Sequence, residues 1–249
     1  MAKNIKEKIQ GIMGKLKESR NPKKSCLDDT SRYERDIKSI KYIKIPDTDI
    51  LISEGQIFSW LNYPDAHYKL SKNGLFMPTP DLFMPYFKNA IDAYNGKIRL
   101  HDGSGTLVSG QRLHNLYTRL TGECWVWLNS GFRQGKGFMD LDLETVVGVQ
   151  EAINGKETEL KLITIREPLE ACLDNDYCAD LNFNKQGFAI TQSKIQGCIQ
   201  GENIHFYKPK ADCVTRFGAN SAGAFLSCCV PQPDKYAMPA VFACKKINA

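Results

Sequence analysis

The sequence predicts an α+β fold in which two helices accompany short antiparallel sheets and much irregular loop. Three observations carry that reading. In the first half, two apolar stripes recur at helical spacing. In the second half, short apolar runs are broken by Asn-Gly, Gly or Asp clusters, the punctuation of strands and turns. Near the end, from Phe217 to Cys228, small or apolar residues (Phe217, Ala219, Ser221, Ala224, Leu226, Cys228) alternate with Gly218, Asn220, Phe225 and Ser227, which share no chemistry. Period-two alternation sends the two sets to opposite faces of an extended chain, one constrained and one not.

Taken in order, Ile5, Ile9, Ile12, Met13 and Leu16 mark a basic amphipathic helix that Asn21-Pro22 ends. Residues 1–36 are read as this helix and a polar linker, and residues 37–249 as one main domain. The helix is expected to be solvated, to contact a partner, or to lie on an anionic membrane surface. Ile37, Ile40, Tyr42, Ile43 and Ile45 read as a strand, followed by an Asp47-Thr48-Asp49 turn and a short strand at Ile50–Ile52. Thr79 caps a helix over about 82–94, with Pro80 in its first turn and Phe83, Phe87, Ala90, Ile91 and Tyr94 on its apolar stripe.

Lys97–Leu100 reads as a strand closed by the His101–Gly105 turn. Ser109 opens a second helix carrying Leu113, Leu116, Tyr117 and Leu120, and Gly122 closes it. Cys124-Trp125-Val126-Trp127-Leu128 is apolar at every position and predicts a segment buried on both faces. Leu141–Gln150, Leu160–Ile165, Gly187–Ile190 and Ile204–Tyr207 are the remaining strand candidates.

With 249 residues, 42% hydrophobic and 24% charged, the chain is long enough for one sizeable core. The net charge of +5 is concentrated at the start, where eight Lys or Arg stand against Glu7 and Glu18 within residues 1–24. The rest is close to neutral, which argues against nucleic acid as a partner. No run of apolar residues suits a membrane span, and the N-terminal apolar residues are too interrupted for a secretory signal. Nine cysteines without such a signal predict reduced, buried thiols, a disulfide framework being the alternative.

Little in the sequence points to catalysis. His67, His101, His114 and His205 lie far apart, none at metal-ligand spacing from a cysteine, and each is expected at the surface or hydrogen-bonded. Cys172 and Cys178 fit neither a zinc knuckle nor a redox Cys-x-x-Cys, and predict a loop whose thiols pack or pair. Alternation puts Cys228 inside and Cys229 outside. Gly103-Ser104-Gly105 and Gly135-Lys136-Gly137 read as turns rather than phosphate loops. No catalytic residue, metal or cofactor is expected.

Three segments together resemble a known family. They are Cys124–Asn129 with Gly137-Phe138 and Leu141, Arg166–Cys172 with Cys178–Leu181, and the tail from Arg216-Phe217 through Ala243-Cys244. They look like the archaeal variable proteins of diversity-generating retroelements, over the stretch from about Gly103 to the end. The resemblance implies a C-type lectin fold of the formylglycine-generating-enzyme subtype. It also implies a gene whose 3′ end is rewritten at template adenines by a dedicated reverse transcriptase, and hence a fixed scaffold with a diversified ligand-binding face.

On that resemblance, the variable region spans about 213–243. The scaffold would be Arg216, Phe217, Ala219, Ser221, Ala224, Leu226, Cys228, Pro231, Ala237, Val241 and Ala243. The diversified slots would be Gly218, Asn220, Ala222, Gly223, Phe225, Ser227, Cys229 and Val230, then Gln232, Pro233, Asp234, Lys235 and Tyr236. Adenine mutagenesis of an Asn codon reaches most of these, but Gln232 and Lys235 require other codons. Where the family has Leu-Gly before the closing Val, this chain has Met238-Pro239-Ala240. The implied function is non-enzymatic binding, most naturally of a protein ligand, with Phe225 and Tyr236 exposed as aromatic anchors. The alternative is a thiol- or metal-dependent enzyme related to formylglycine-generating enzymes. Cys228, Cys229 and Cys244 invite that comparison, but their spacing does not reproduce the five-residue pair of those enzymes.

Overall fold

Strand pairing dominates the architecture, which is a computed structural model describing residues 37–135, 143–153, 156–231 and 240–247. The helix expected within residues 1–36 lies outside the described residues, as do the slots from Gln232 to Tyr236 and the departure at Met238-Pro239. The described elements are β1 (Tyr42–Lys44), β2 (Ile50–Ser53), α1 (Tyr63–Ser71), α2 (Pro80–Tyr94), α3 (Gly110–Thr121) and β3 (Cys124–Gln134). They continue with β4 (Leu143–Ile153), β5 (Lys156–Pro168), β6 (Tyr177–Asp180), β7 (Asn203–Tyr207), β8 (Cys213–Asn220), β9 (Gly223–Pro231) and β10 (Cys244–Lys246). The fold class is therefore α+β, as the sequence predicts, with three helices rather than two among the described residues.

A seven-stranded sheet runs in the order β5-β4-β3-β8-β9-β7-β6, and a three-stranded sheet runs β1-β2-β10. Neighbouring strands are antiparallel except β7 and β9, which are parallel. On one side of the large sheet, α2 and α3 build the larger core. Phe83 and Phe87 of α2 each place their ring 4.9 Å from that of Phe217 on β8. Leu116 and Leu120 of α3 join Val126, Leu128, Ala219, Ala224, Leu226 and Cys228 in the same cluster. A second cluster gathers Ala66 and Leu70 of α1 with Trp127, Val214, Val230 and Val241. The small sheet serves both, because alternate residues face opposite ways. Ile43 and Ile52 enter the first cluster while Tyr42 and Leu51 enter the second.

Several sequence expectations need correction. Helix α1 was not expected, because nine residues with only Ala66, His67 and Leu70 buried give too short a stripe to stand out. Its start is nevertheless marked, as the Asn62 side chain accepts from the Asp65 N–H at 2.8 Å and Pro64 fills the first turn. Lys97–Leu100 is irregular, and Gly187–Ile190 contributes only an isolated bridge from Ala189 to Phe183. Ile37–Ser39 forms a 3-10 turn rather than strand. Thr79 and Ser109 occupy the N-cap positions without a side-chain capping bond. Helix α2 begins at Pro80 and continues through Pro85. The missing N–H costs about 3 kcal/mol, which burial of Phe83, Met84, Tyr86 and Phe87, at about 1.5–3 kcal/mol each, offsets.

Arg112 ties α3 to the loops beside the small sheet. Its guanidinium donates to the Glu54 carboxylate, with Nε at 2.8 Å, and to Asp102 Oδ2 at 2.7 Å. Hydrogen bonds from the Ser104 hydroxyl and then Arg112 hold the Asp102 carboxyl well below the usual carboxylate range. The His101–Gly105 turn is thus built around Asp102, whose Oδ1 accepts from the backbone N–H groups of Ser104 and Thr106 at 2.9 and 3.0 Å.

Candidate ligand-binding face

The inward half of the tail alternation is buried. Phe217, Ala219, Ala224, Leu226 and Cys228 all lie in the larger core. Ser221 departs from this set, since it stands exposed in the turn joining β8 to β9.

The outward half lines up into rows, because register fixes which side chains sit beside one another. Cys178 on β6 pairs with His205 on β7, His205 with Phe225 on β9, Phe225 with Gly218 on β8, and Gly218 with Trp125 on β3. The next row is Tyr207, Ser227, Arg216 and Trp127. Trp125 and Tyr207 are 37% and 38% exposed, so this face meets solvent at both, while Ser227 and Trp127 in the second row are buried. Its rings touch: Phe225 meets Trp125 edge-on at 4.9 Å and Tyr207 at 6.5 Å, and the Arg216 guanidinium lies 5.3 Å from the Trp125 ring centre. The face is an aromatic strip bearing one cation, a chemistry suited to apolar and aromatic side chains of a partner.

Each proposed slot has a definite place. Ala222 is exposed, while Asn220, Phe225 and Cys229 are half-buried. Asn220 is not idle, as its Oδ1 accepts from the Ala222 N–H at 2.8 Å and shapes the turn. Gly218, Gly223, Ser227 and Val230 are buried, against the expectation of free outward positions. Gly218 is covered by its neighbour: a Cβ there would fall 2.1 Å from Cζ of Phe225, so that ring fills the space a side chain would take. Gly223 is held at φ +117° with a Cβ position 2.9 Å from that of Cys198.

Val230 is buried for a different reason. Between the pairs Arg216–Ser227 and Val214–Val230, residues Cys228 and Cys229 of β9 stand opposite Thr215 alone. This β-bulge reverses the alternation. It sends Val230 into the second cluster, beneath the layer that contains α1. The vicinal cysteines thus split as expected, Cys228 inside and Cys229 half-buried, and they mark the bulge itself.

The overlap of Phe225 with Gly218 gives a direct test of coupling. Gly218→Ser is expected to cost stability when Phe225 is present and almost nothing in a Phe225→Ala background. A double-mutant cycle followed by urea denaturation should give a coupling of about 0.5–1 kcal/mol. Additive losses would show that the two slots are independent.

Trp125 and Tyr207 were missed by sequence reasoning, and Trp125 corrects the expectation of a segment buried on both faces. Trp127, Val126 and Leu128 do meet that expectation. His67 corrects another: it is buried rather than at the surface, and its Nε2 has no hydrogen-bond partner among the described residues. His205, at no metal-ligand spacing from a cysteine in the sequence, stands with Nδ1 3.5 Å from the Cys178 sulfur. Cys198 lies near both, and the three ligand atoms fall within 4.8 Å of one another. Burial, then neighbouring Cys178, pushes the Cys198 thiol up to about 11. The eight described cysteines are unpaired thiols. Among the described residues, no helix is long and apolar enough to cross a membrane.

No protein-family model, curated protein or solved structure matches this chain.

Proposed function

We propose that this chain is a non-enzymatic ligand-binding protein of the retroelement-diversified class, built on a C-type lectin fold of the formylglycine-generating-enzyme subtype. The ligand we infer is a protein that presents apolar or aromatic side chains to the strip formed by Trp125, Phe225 and Tyr207. One observation carries the reading. Over Phe217–Cys228 the alternation separates Phe217, Ala219, Ala224, Leu226 and Cys228, which fill the core, from Asn220 and Phe225, which lie half-buried on the opposite face. A surface can vary only where its side chains contribute little to folding, and surface changes away from special features alter stability by about 0.5 kcal/mol. On this reading Ala222, Phe225 and Cys229 are the freely varied slots, Asn220 varies at the cost of its turn hydrogen bond, and Val230 belongs to the scaffold.

The enzymatic alternative is disfavoured by where the C-terminal thiols lie. Cys228 and Cys244 are fully buried, and burial raises both thiols well above their ordinary range, the reverse of what a reactive thiolate requires.

The test is a pair of displayed libraries sorted for protease resistance. One randomises Asn220, Ala222, Phe225 and Cys229, and the other randomises Ala219, Ala224, Leu226 and Cys228. Most members of the first should fold and few of the second. Comparable survival of the two would refute the scaffold-and-slot division. Members of the first library selected on a protein target should then lose binding on Trp125→Ala, a residue outside the randomised set.

A further inference from the structure

We propose that Cys178, Cys198 and His205 together bind a zinc ion at the edge of the large sheet, leaving a fourth coordination position toward solvent. The three residues come from separate elements, and the fold brings them together. Cys178 and His205 are direct register partners across β6 and β7, which places both side chains on one face. Cys198 arrives from the irregular stretch between residues 190 and 202. That stretch is fastened on both sides of the cysteine. The Ser193 N–H donates to the Cys178 carbonyl at 2.8 Å, and the Asn203 side chain both donates to the Gly197 carbonyl at 3.0 Å and accepts from the Ile199 N–H at 2.7 Å. Gly223 lies against Cys198, where any Cβ would crowd the cysteine.

The distances suit a tetrahedral ion. Bonds of about 2.3 Å to sulfur and about 2.0–2.1 Å to nitrogen require a sulfur–nitrogen separation of roughly 3.6 Å and a sulfur–sulfur separation of roughly 3.8 Å. The Cys178 sulfur and His205 Nδ1 already stand 3.5 Å apart. All three ligand atoms lie within 4.8 Å of each other, so no pair must close by more than about 1 Å. Two thiolates and an imidazole favour zinc over magnesium or calcium, which prefer oxygen. Binding releases the two thiol protons to solvent and changes no oxidation state.

Three protein ligands leave one position for water or for a donor atom of a bound molecule. An open depression lined by Cys178 and residues Gln192 to Gly197 adjoins the site at Cys178. The ion would fasten this irregular strip to β6 and β7, one strand away from Phe225. This inference does not depend on the proposed function, since the three ligands are outside the varied slots.

The experiment uses the full chain, purified in a reducing agent with zinc supplied and then dialysed against metal-free buffer. Elemental analysis should find zinc at a ratio of one per chain. Replacement by cobalt should give the visible bands of a tetrahedral site with thiolate-to-cobalt charge transfer. Cys178→Ser, Cys198→Ser and His205→Ala should each weaken zinc binding at least ten-fold, while Cys172→Ser and Cys213→Ser leave it unchanged. Cys198→His should keep tetrahedral cobalt with half the charge-transfer intensity. If a variant fails to fold, the wild-type cobalt spectrum decides: two thiolates support the site and any other count overturns it. Zinc no higher than in Cys178→Ser protein, equal losses in the Cys172→Ser and Cys213→Ser controls, or a Cys178–Cys198 disulfide in metal-supplied protein would also overturn it.

Discussion

Phe217→Ala is expected to lower stability by about 3–5 kcal/mol, whereas Phe225→Ala, eight positions on in the same hairpin, should cost only about 1 kcal/mol. The two phenylalanines lie on opposite faces of neighbouring strands. Phe217 is wholly buried, with its ring 4.9 Å from those of both Phe83 and Phe87, so truncation opens a cavity between β8 and α2 that rigid neighbours cannot fill. Phe225 is half-buried and touches Trp125 and Tyr207, both solvent-exposed, so its removal leaves a gap that water can enter. Urea denaturation at neutral pH measures both. Equal losses would mean that the outward side chain is structural, and the proposed freedom of that face would fail. A second arm uses affinity: in a chain with a selected protein ligand, Phe225→Ala should weaken binding while Phe217→Ala acts only through unfolding.

This contrast was legible in the sequence because period-two alternation is local. Phe217, Ala219, Ala224, Leu226 and Cys228 declare an inward face without any knowledge of what covers it. The helices α2 and α3 were legible for the same reason, as their stripes each span more than two turns. What could not be read depends on pairing between distant segments. Trp125 looked like another member of a buried run, and only the register Trp125–Gly218–Phe225 turns it into part of an open face. Cys178 and His205 are remote in sequence and meet because β6 and β7 pair in one register out of several. The bulge at Cys228-Cys229 was likewise invisible, since nothing local tells a bulged strand from a straight one. That single extra residue turns Val230 from the face of Ala224, Leu226 and Cys228 to the face of Phe225, where the second core covers it.

The pH dependence of stability should be governed, between about pH 6.5 and pH 4, by a residue far from the binding face. His67 on α1 is 3% exposed, and its ring meets Tyr63 edge-on at 4.7 Å. Burial lowers its pKa from 6.5 to about 4. The pocket beside it is also lined by Arg133, Asp212 and Cys213. The sign follows from the direction of the shift. Above the unfolded value near 6.5 the imidazole is neutral in both states and exerts no pH-dependent pull. As the pH falls, the unfolded chain takes up the proton first, and stability drops until the folded-state value near 4 is reached. The full loss is about 3 kcal/mol. Asp102, held below the usual carboxylate range, adds its own loss only at lower pH, and Asp81, raised mainly by burial, acts in the opposite sense. Comparing the native protein with His67→Leu cancels both. The variant should lose most of the slope between pH 6.5 and pH 4.5 while unfolding with the same denaturant dependence at pH 7. An unchanged slope would show that the ring is hydrated or hydrogen-bonded in solution, and that α1 does not seal this side of the second core.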